Sequence, residues 1–156
     1  MAFFPLYAVS HRVADPGLFF TAIAIMLFVT RALGGRRLDL YSKEKIIPVL
    51  IITYLVSMTL LAFSKTLPMF ILAALIFGIG NALLSPVVMA YALDRAGSSP
   101  GPVVGTYTAI SDLGLGLGPV IMGFVVRFSS YRVMFLCLAF TAVINLIYFY
   151  FFVRKK

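Results

Sequence analysis

A chain of 156 residues that is 62% apolar and only 12% charged, with a mean hydropathy of +1.07, carries far more apolar surface than a water-soluble domain of this length can hide. The formal charge of +8, from 13 Lys and Arg against 5 Asp and Glu, would suit a nucleic-acid binder, but the basic residues fall as short groups between long apolar runs and never gather on one wet face, which excludes that class. One cysteine, Cys137, sits in an apolar run with no partner, so neither a disulfide framework nor a thiolate metal site is available. At roughly 20 residues per crossing there is room for one transmembrane domain, residues 1–156, and for no second one.

The first segment, Met1 to Ser10, is apolar but too short to cross, and it lacks the basic leader and small-residue cleavage site of a signal peptide. Residues 1–10 read as the remnant of a truncated helix, its outer end. Uncharged runs then give five spans: Pro16 to Thr30, extended by Arg31 snorkelling past Ala32 and Leu33; Ile46 to Ser64; Thr66 to Leu93; Ala96 to Val126, broken only by Asp112; and Val133 to Val153. Nothing alternates apolar and polar over the ten or so residues of a transmembrane strand, so the fold class is all-α, a polytopic transmembrane bundle of five full spans plus an N-terminal partial helix. Asp15-Pro16-Gly17 and Ser98-Ser99-Pro100 look like helix starts, and Pro68 opens the third span. Pro86 lies inside that span and predicts a bend near Ala82, with Asn81 and Ser85 close enough to help the freed backbone groups.

Sidedness follows from the basic residues. The connection at 31–45 holds Arg31, Arg36, Arg37, Lys43 and Lys45; with Arg95 and the tail Arg154, Lys155 and Lys156 it makes nine, against four on the other side, Arg12, Lys65, Arg127 and Arg132. The positive-inside rule makes 31–45 a cytoplasmic loop, the C-terminus cytoplasmic and the N-terminus outside, in a multi-pass protein of the cell's inner membrane. Tyr148 to Phe152 read as an aromatic belt beside the basic tail.

The run from Arg31 through Gly35, Arg36, Arg37 and Asp39 to Lys45 resembles the Gly-x-x-x-Asp-Arg-x-Gly-Arg-Arg loop of the major facilitator superfamily, with Gly35 and Asp39 at the glycine and aspartate. Leu40 stands for the basic residue after the aspartate, Ser42 for the second glycine, and Glu44 enters the final basic group, as is usual for the copy between the eighth and ninth helices. Asp112-Leu113-Gly114-Leu115-Gly116-Leu117-Gly118-Pro119, followed by Gly123, resembles the glycine-rich eleventh helix of drug-efflux-like members, and Phe3 to Ala8 the outer end of a seventh helix. The resemblance implies the C-terminal half of such a fold, from the end of helix seven through helix twelve. It also implies a secondary transporter, a proton-coupled efflux antiporter of a small-molecule substrate, here a fragment that needs a missing N-terminal half to transport. Two other readings stay open: a non-transporting membrane protein that binds or regulates a partner, and one chain of a two-chain transporter.

Gly105, Gly116, Pro119 and Gly123, with Ala109 and Asp112, recur every three or four residues and predict a small-residue face for close helix packing or a hinge; Gly114 and Gly118, which lack the preceding strand of a phosphate cradle, join the same packing or hinge reading. Asp112 is the one carboxylate within a span. It is either a structural carboxyl bonded to Thr108 or Ser111, or a proton-coupling or cation-binding group. Asn81, Tyr107, Asn145 and Thr53 are cavity groups or interhelical hydrogen-bond partners. Asp39 with Arg36 and Arg37 forms, as the resemblance implies, a conformational latch, or else a solvated turn; Arg31 is similar to the arginine at the inner end of the family's eighth helix or serves as a snorkelling anchor. His11 has no second ligand, the seven Met residues fill gaps, and no nucleophile, base and orienting group converge, so no metal, cofactor or enzymatic activity is expected, and the partners are the lipid bilayer and a small molecule rather than nucleic acid.

Overall fold

The computed structural model describes residues 17–38, 42–97 and 100–153; Met1 to Ser10, His11, Asp39, Ser98, Ser99 and the basic tail lie outside them. The described residues are helical almost throughout and contain no strand. Helix α1 spans Gly17–Leu38, α2 Lys43–Phe63, α3 Leu67–Asp94, α4 Pro100–Phe128 and α5 Tyr131–Tyr148, which runs on into a π-helical turn, Phe149–Val153. Four of these stretches are long and apolar enough to cross a membrane, and the apolar part of α1, Gly17–Leu33, is shorter, in line with the short first run in the sequence. The connection read as 31–45 is narrower than that: α1 stays helical through Leu38 and α2 begins at Lys43, because Ala32 and Leu33 are good helix formers and neither glycine after them stops the helix.

Local chemistry sets the ends. Pro68 stands in the first turn of α3, where its missing amide costs nothing. The hydroxyl of Ser130 caps α5 by accepting from the Val133 amide at 3.4 Å. Gly97 turns the chain out of α3 with a φ of +58°, the left-handed region that a side chain disfavours.

In lipid, helices gain little from burying apolar groups against each other, so close fit and interhelical hydrogen bonds decide which ones pair. Helix α3 takes the centre. Gly78 and Gly80 are two residues apart, about 200° around the helix, so they open opposite faces of it. A Cβ on Gly78 would stand 2.7 Å from the Met26 Cβ of α1, and one on Gly80 would stand 3.5 Å from the Leu50 carbonyl and the Thr53 methyl of α2. The α2 contact is fixed further by the buried Ser57 hydroxyl, which donates to the Ala73 carbonyl at 2.9 Å. Phe19, Phe70, Met58, Leu61 and Phe135 fill the core on one side of this sandwich, and Ile47, Leu50, Val87 and Phe149 fill a second cluster toward the other end.

Helix α4 differs from the rest. It has 29 residues and none of them is buried. The small-residue face expected to pack closely does not pack within the described residues: a Cβ on Gly105, Gly114, Gly116 or Gly118 would meet nothing within 4 Å. The glycines that hold helices together are in α3. Accordingly Gly78→Ala should lower the melting temperature in detergent, by the equivalent of about 1–3 kcal/mol, because the Met26 Cβ cannot swing aside without moving α1. Gly114→Ala, with open space around it, should leave the melting temperature unchanged or raise it; equal losses for the two variants would contradict this packing.

Candidate functional site

The sequence fixes one chemical problem in the middle of the bundle. Pro86 has no amide hydrogen, so the Ala82 carbonyl, four residues back in α3, loses its helical partner, and Ala82 is fully buried. The partner comes from α1: the Nε of Arg31 donates to the Ala82 carbonyl at 3.4 Å. On the next turn Tyr107 of α4 donates from its phenol to the Ser85 carbonyl at 3.2 Å and shares a 2.9 Å hydrogen bond with the Ser85 hydroxyl. Three helices therefore meet at the proline.

A cavity of about 660 Å³ opens at this junction. Arg31, Ser85, Tyr107 and Lys43 supply its polar lining, and Ile46, Val87 and Met89 are among its apolar walls. That volume is typical of a small-molecule site, and a mostly apolar wall with a few directed polar groups is the usual character of one. The charge is one-sided. Lys43 is ion-paired with Asp94, whereas Arg31 has no carboxylate partner among the described residues.

Next to the cavity lies a charge cluster at the end of the bundle that carries the start of α2. Lys43 pairs with Asp94, and Glu44 with the Arg95 guanidinium at 3.2 Å. Arg95 also lies 4.5 Å over the Tyr91 ring and reaches the Val153 carbonyl at 3.5 Å, to which the Tyr91 hydroxyl donates at 3.4 Å. The cluster ties α2, α3 and the π-helical turn together. Each exposed pair is worth about 0–1 kcal/mol by itself, so it fixes register more than it adds stability.

Of the residues singled out in the sequence, the structure brings Arg31, Pro86 and Tyr107 together and leaves the others apart. Asp112 is exposed on α4, about 140° around the helix from Tyr107, and neither expected hydroxyl holds it, since Thr108 donates to the Val104 carbonyl at 2.8 Å. Asn81 is exposed on α3. Asn145 donates to the Thr141 carbonyl at 2.9 Å and lines a different cavity, about 370 Å³, between α2, α3 and α5. Thr53 donates to its own helix at Val49. Gly35, Arg36 and Arg37 lie on the backbone of the last turns of α1 and Asp39 outside the described residues, so the latch falls beyond this geometry. Gly123 and Pro119 stand in α4, and neither is buried. Among the described residues no group of three or more His, Cys, Asp or Glu could hold a metal.

Sequence reasoning assigned Asn81 and Ser85 to the backbone groups freed by Pro86, whereas Arg31 takes the Ala82 carbonyl and the Ser85 hydroxyl pairs with Tyr107; the charge cluster it passed over. The signal for the cluster was present: Lys43-Glu44 and Asp94-Arg95 are adjacent pairs of opposite order at helix ends, so the two can satisfy each other crosswise. Glu44, which looked out of place in a basic loop, is one half of such a pair.

The sequence profile of the Major Facilitator Superfamily matches residues 1–156, the whole chain. The chain belongs to the Major Facilitator Superfamily. It is therefore a multi-pass membrane protein of a family of small-molecule transporters, and its exposed apolar side chains, such as Phe28, Leu33 and Phe140, face lipid or other helices. No solved structure matches the chain significantly.

The Arg31 bond can be isolated by a double-mutant cycle with Pro86. Arg31→Met should cost about 1–2 kcal/mol in the wild-type background, where it strands a buried carbonyl. In a Pro86→Ala background the new amide supplies the Ala82 carbonyl, and the same change should cost markedly less. Additive melting-temperature losses would show that Arg31 does not serve that carbonyl.

Proposed function

We propose that this chain is the C-terminal helical half of a secondary transporter of the superfamily, that it is a proton-coupled exporter of a small molecule, and that it needs a second, N-terminal half to transport. The observation that supports this reading most is α4. It is a membrane-length helix with no buried residue, yet it carries a carboxylate, Asp112, and a row of bare glycines. A carboxylate in the hydrocarbon region costs about 2.5–3.5 kcal/mol, so the face that bears it needs a partner or a watery path, and a second half docked on α4 provides both. Transporters of this architecture rock two halves about a site near the midplane, and one half forms a single wall of that pathway.

In this reading the protein sits in the inner membrane with its C-terminus and the charge cluster on the cytoplasmic side, following the excess of basic residues there. The 660 Å³ cavity then lies toward the cytoplasm, where an exporter first meets its substrate. Asp112 takes the coupling proton, with Asn81 and Asn145 as further polar groups along the assembled pathway. The arginines and Asp39 of the first connection act as the latch between states.

The test is Asp112→Asn in the transporter assembled with its second half. The amide keeps the shape and loses the titration, so proton-driven transport should fall at least tenfold while expression and melting temperature stay near wild type. Undiminished proton-coupled transport would remove Asp112 from the mechanism. The chain alone in liposomes should give no saturable, proton-dependent flux.

A further inference from the structure

We propose that the cavity at the Pro86 junction binds an organic anion, with its carboxylate, sulfonate or phosphate on Arg31 and its apolar body along α2 and α3; the inference rests on the transporter reading and names its substrate class. The charge inventory carries it. Among the described residues two cations and no carboxylate line the cavity, and Lys43 is already neutralised by Asp94. Glu44 is taken by Arg95, and Asp112 pairs with no cation among the described residues. Among the described residues Arg31 is left as an unneutralised charge, exposed to a ligand at the wall of a mostly apolar pocket.

The donors are also placed for an anion. Arg31 spends only its Nε, on the Ala82 carbonyl, which holds the side chain in one position and leaves both terminal amino groups as a fork. The hydroxyls of Ser85 and Tyr107 add a donor: with Tyr107 donating to the Ser85 carbonyl, the Ser85 hydroxyl hydrogen is free to leave Tyr107 and turn to a ligand. Ile46, Val87, Met89 and Ala90 offer the apolar body a wall without a polar group. A cation would meet Arg31 unopposed, so the site selects against it. A cationic substrate for this pocket is excluded by the same field that favours an anion. The anion can be a free metabolite-sized molecule or the headgroup of an acidic lipid, since both present the same chemistry.

The experiment uses the full chain in phosphatidylcholine nanodiscs and two probes of equal shape, 2-naphthoate and the neutral 2-naphthamide, with empty nanodiscs as the partition blank. Saturable 2-naphthoate binding at least tenfold tighter than that of 2-naphthamide is expected for the wild type. Arg31→Gln, which keeps a donor for Ala82, should weaken 2-naphthoate at least tenfold and leave 2-naphthamide unchanged, and Arg31→Lys should retain most of the preference. Equal binding of the two probes to the wild type would overturn the proposal without reliance on any variant, as would an unchanged 2-naphthoate affinity in Arg31→Gln. Adding phosphatidylglycerol to the discs separates the sources. Unchanged 2-naphthoate binding at high salt supports a free anion, and displacement, with phosphatidylglycerol retained in native mass spectra of the wild type but not of Arg31→Gln, supports a lipid headgroup on the same Arg31 site. Loss of anion preference with proton-driven transport intact in the assembled protein would sink this inference alone; loss of transport in Asp112→Asn bears only on the coupling group.

Discussion

A proline inside a helix surrounded by lipid leaves a carbonyl that has no water to turn to. In this chain the carbonyl belongs to Ala82, which is fully buried, and the group that meets it is a charged side chain from another helix, Arg31. That one requirement brings an arginine of α1 beside the middle of α3, and a cavity forms where α1 and α4 come to α3 at the same two turns. The interaction that satisfies the backbone thus also supplies the site with its charge. A cation held in place by a backbone carbonyl can serve recognition with its remaining donors.

The arrangement has a stiff part and a loose part. Helix α3 lies between α1 and α2, held by Gly78, Gly80 and the Ser57 hydrogen bond, and its far end is tied to α2 and to the end of α5 through the cluster around Arg95. Helix α4 rests against this body mainly where Tyr107 meets Ser85 and, lower down, where Met122, Val125 and Val126 touch the core. A family that works by moving one half against another needs such a division. The stiff part keeps the shape of the cavity, and the loosely held helix carries Asp112, the group proposed to take the coupling proton.

Much of the fold was legible because lipid imposes simple rules. Charges such as Lys43, Lys65, Asp94, Arg127 and Arg132 mark the ends of apolar runs, and the helices begin and end within a few residues of them. Pro68 declared the start of α3. What could not be read was which helix touches which. A glycine says that another backbone can come close and does not say whose; the row Gly114, Gly116, Gly118 looked like the stronger packing signal and faces open space, whereas the plainer pair Gly78 and Gly80 makes the contacts. Arg31 was visible as a residue near a helix end, but its partner stands 51 residues away on another helix, and a snorkelling anchor fits the same sequence. The polar groups Asp112, Asn81 and Asn145 were identifiable by type alone, and the fold puts them on separate faces, since helical spacing fixes a direction only once the neighbours are known.

The central claim is that the position of α4 is set by something besides this chain, while α1, α2 and α3 fix one another. Pulsed electron-spin distance measurements test it directly, with Cys137 replaced and spin labels at exposed positions: Phe28 on α1 with Leu72 on α3, and Leu113 on α4 with Leu72 on α3. In nanodiscs the first pair should give a narrow distance distribution and the second a broad one, which narrows when the proposed second half is supplied. A second distribution as narrow as the first in the chain by itself would contradict the account.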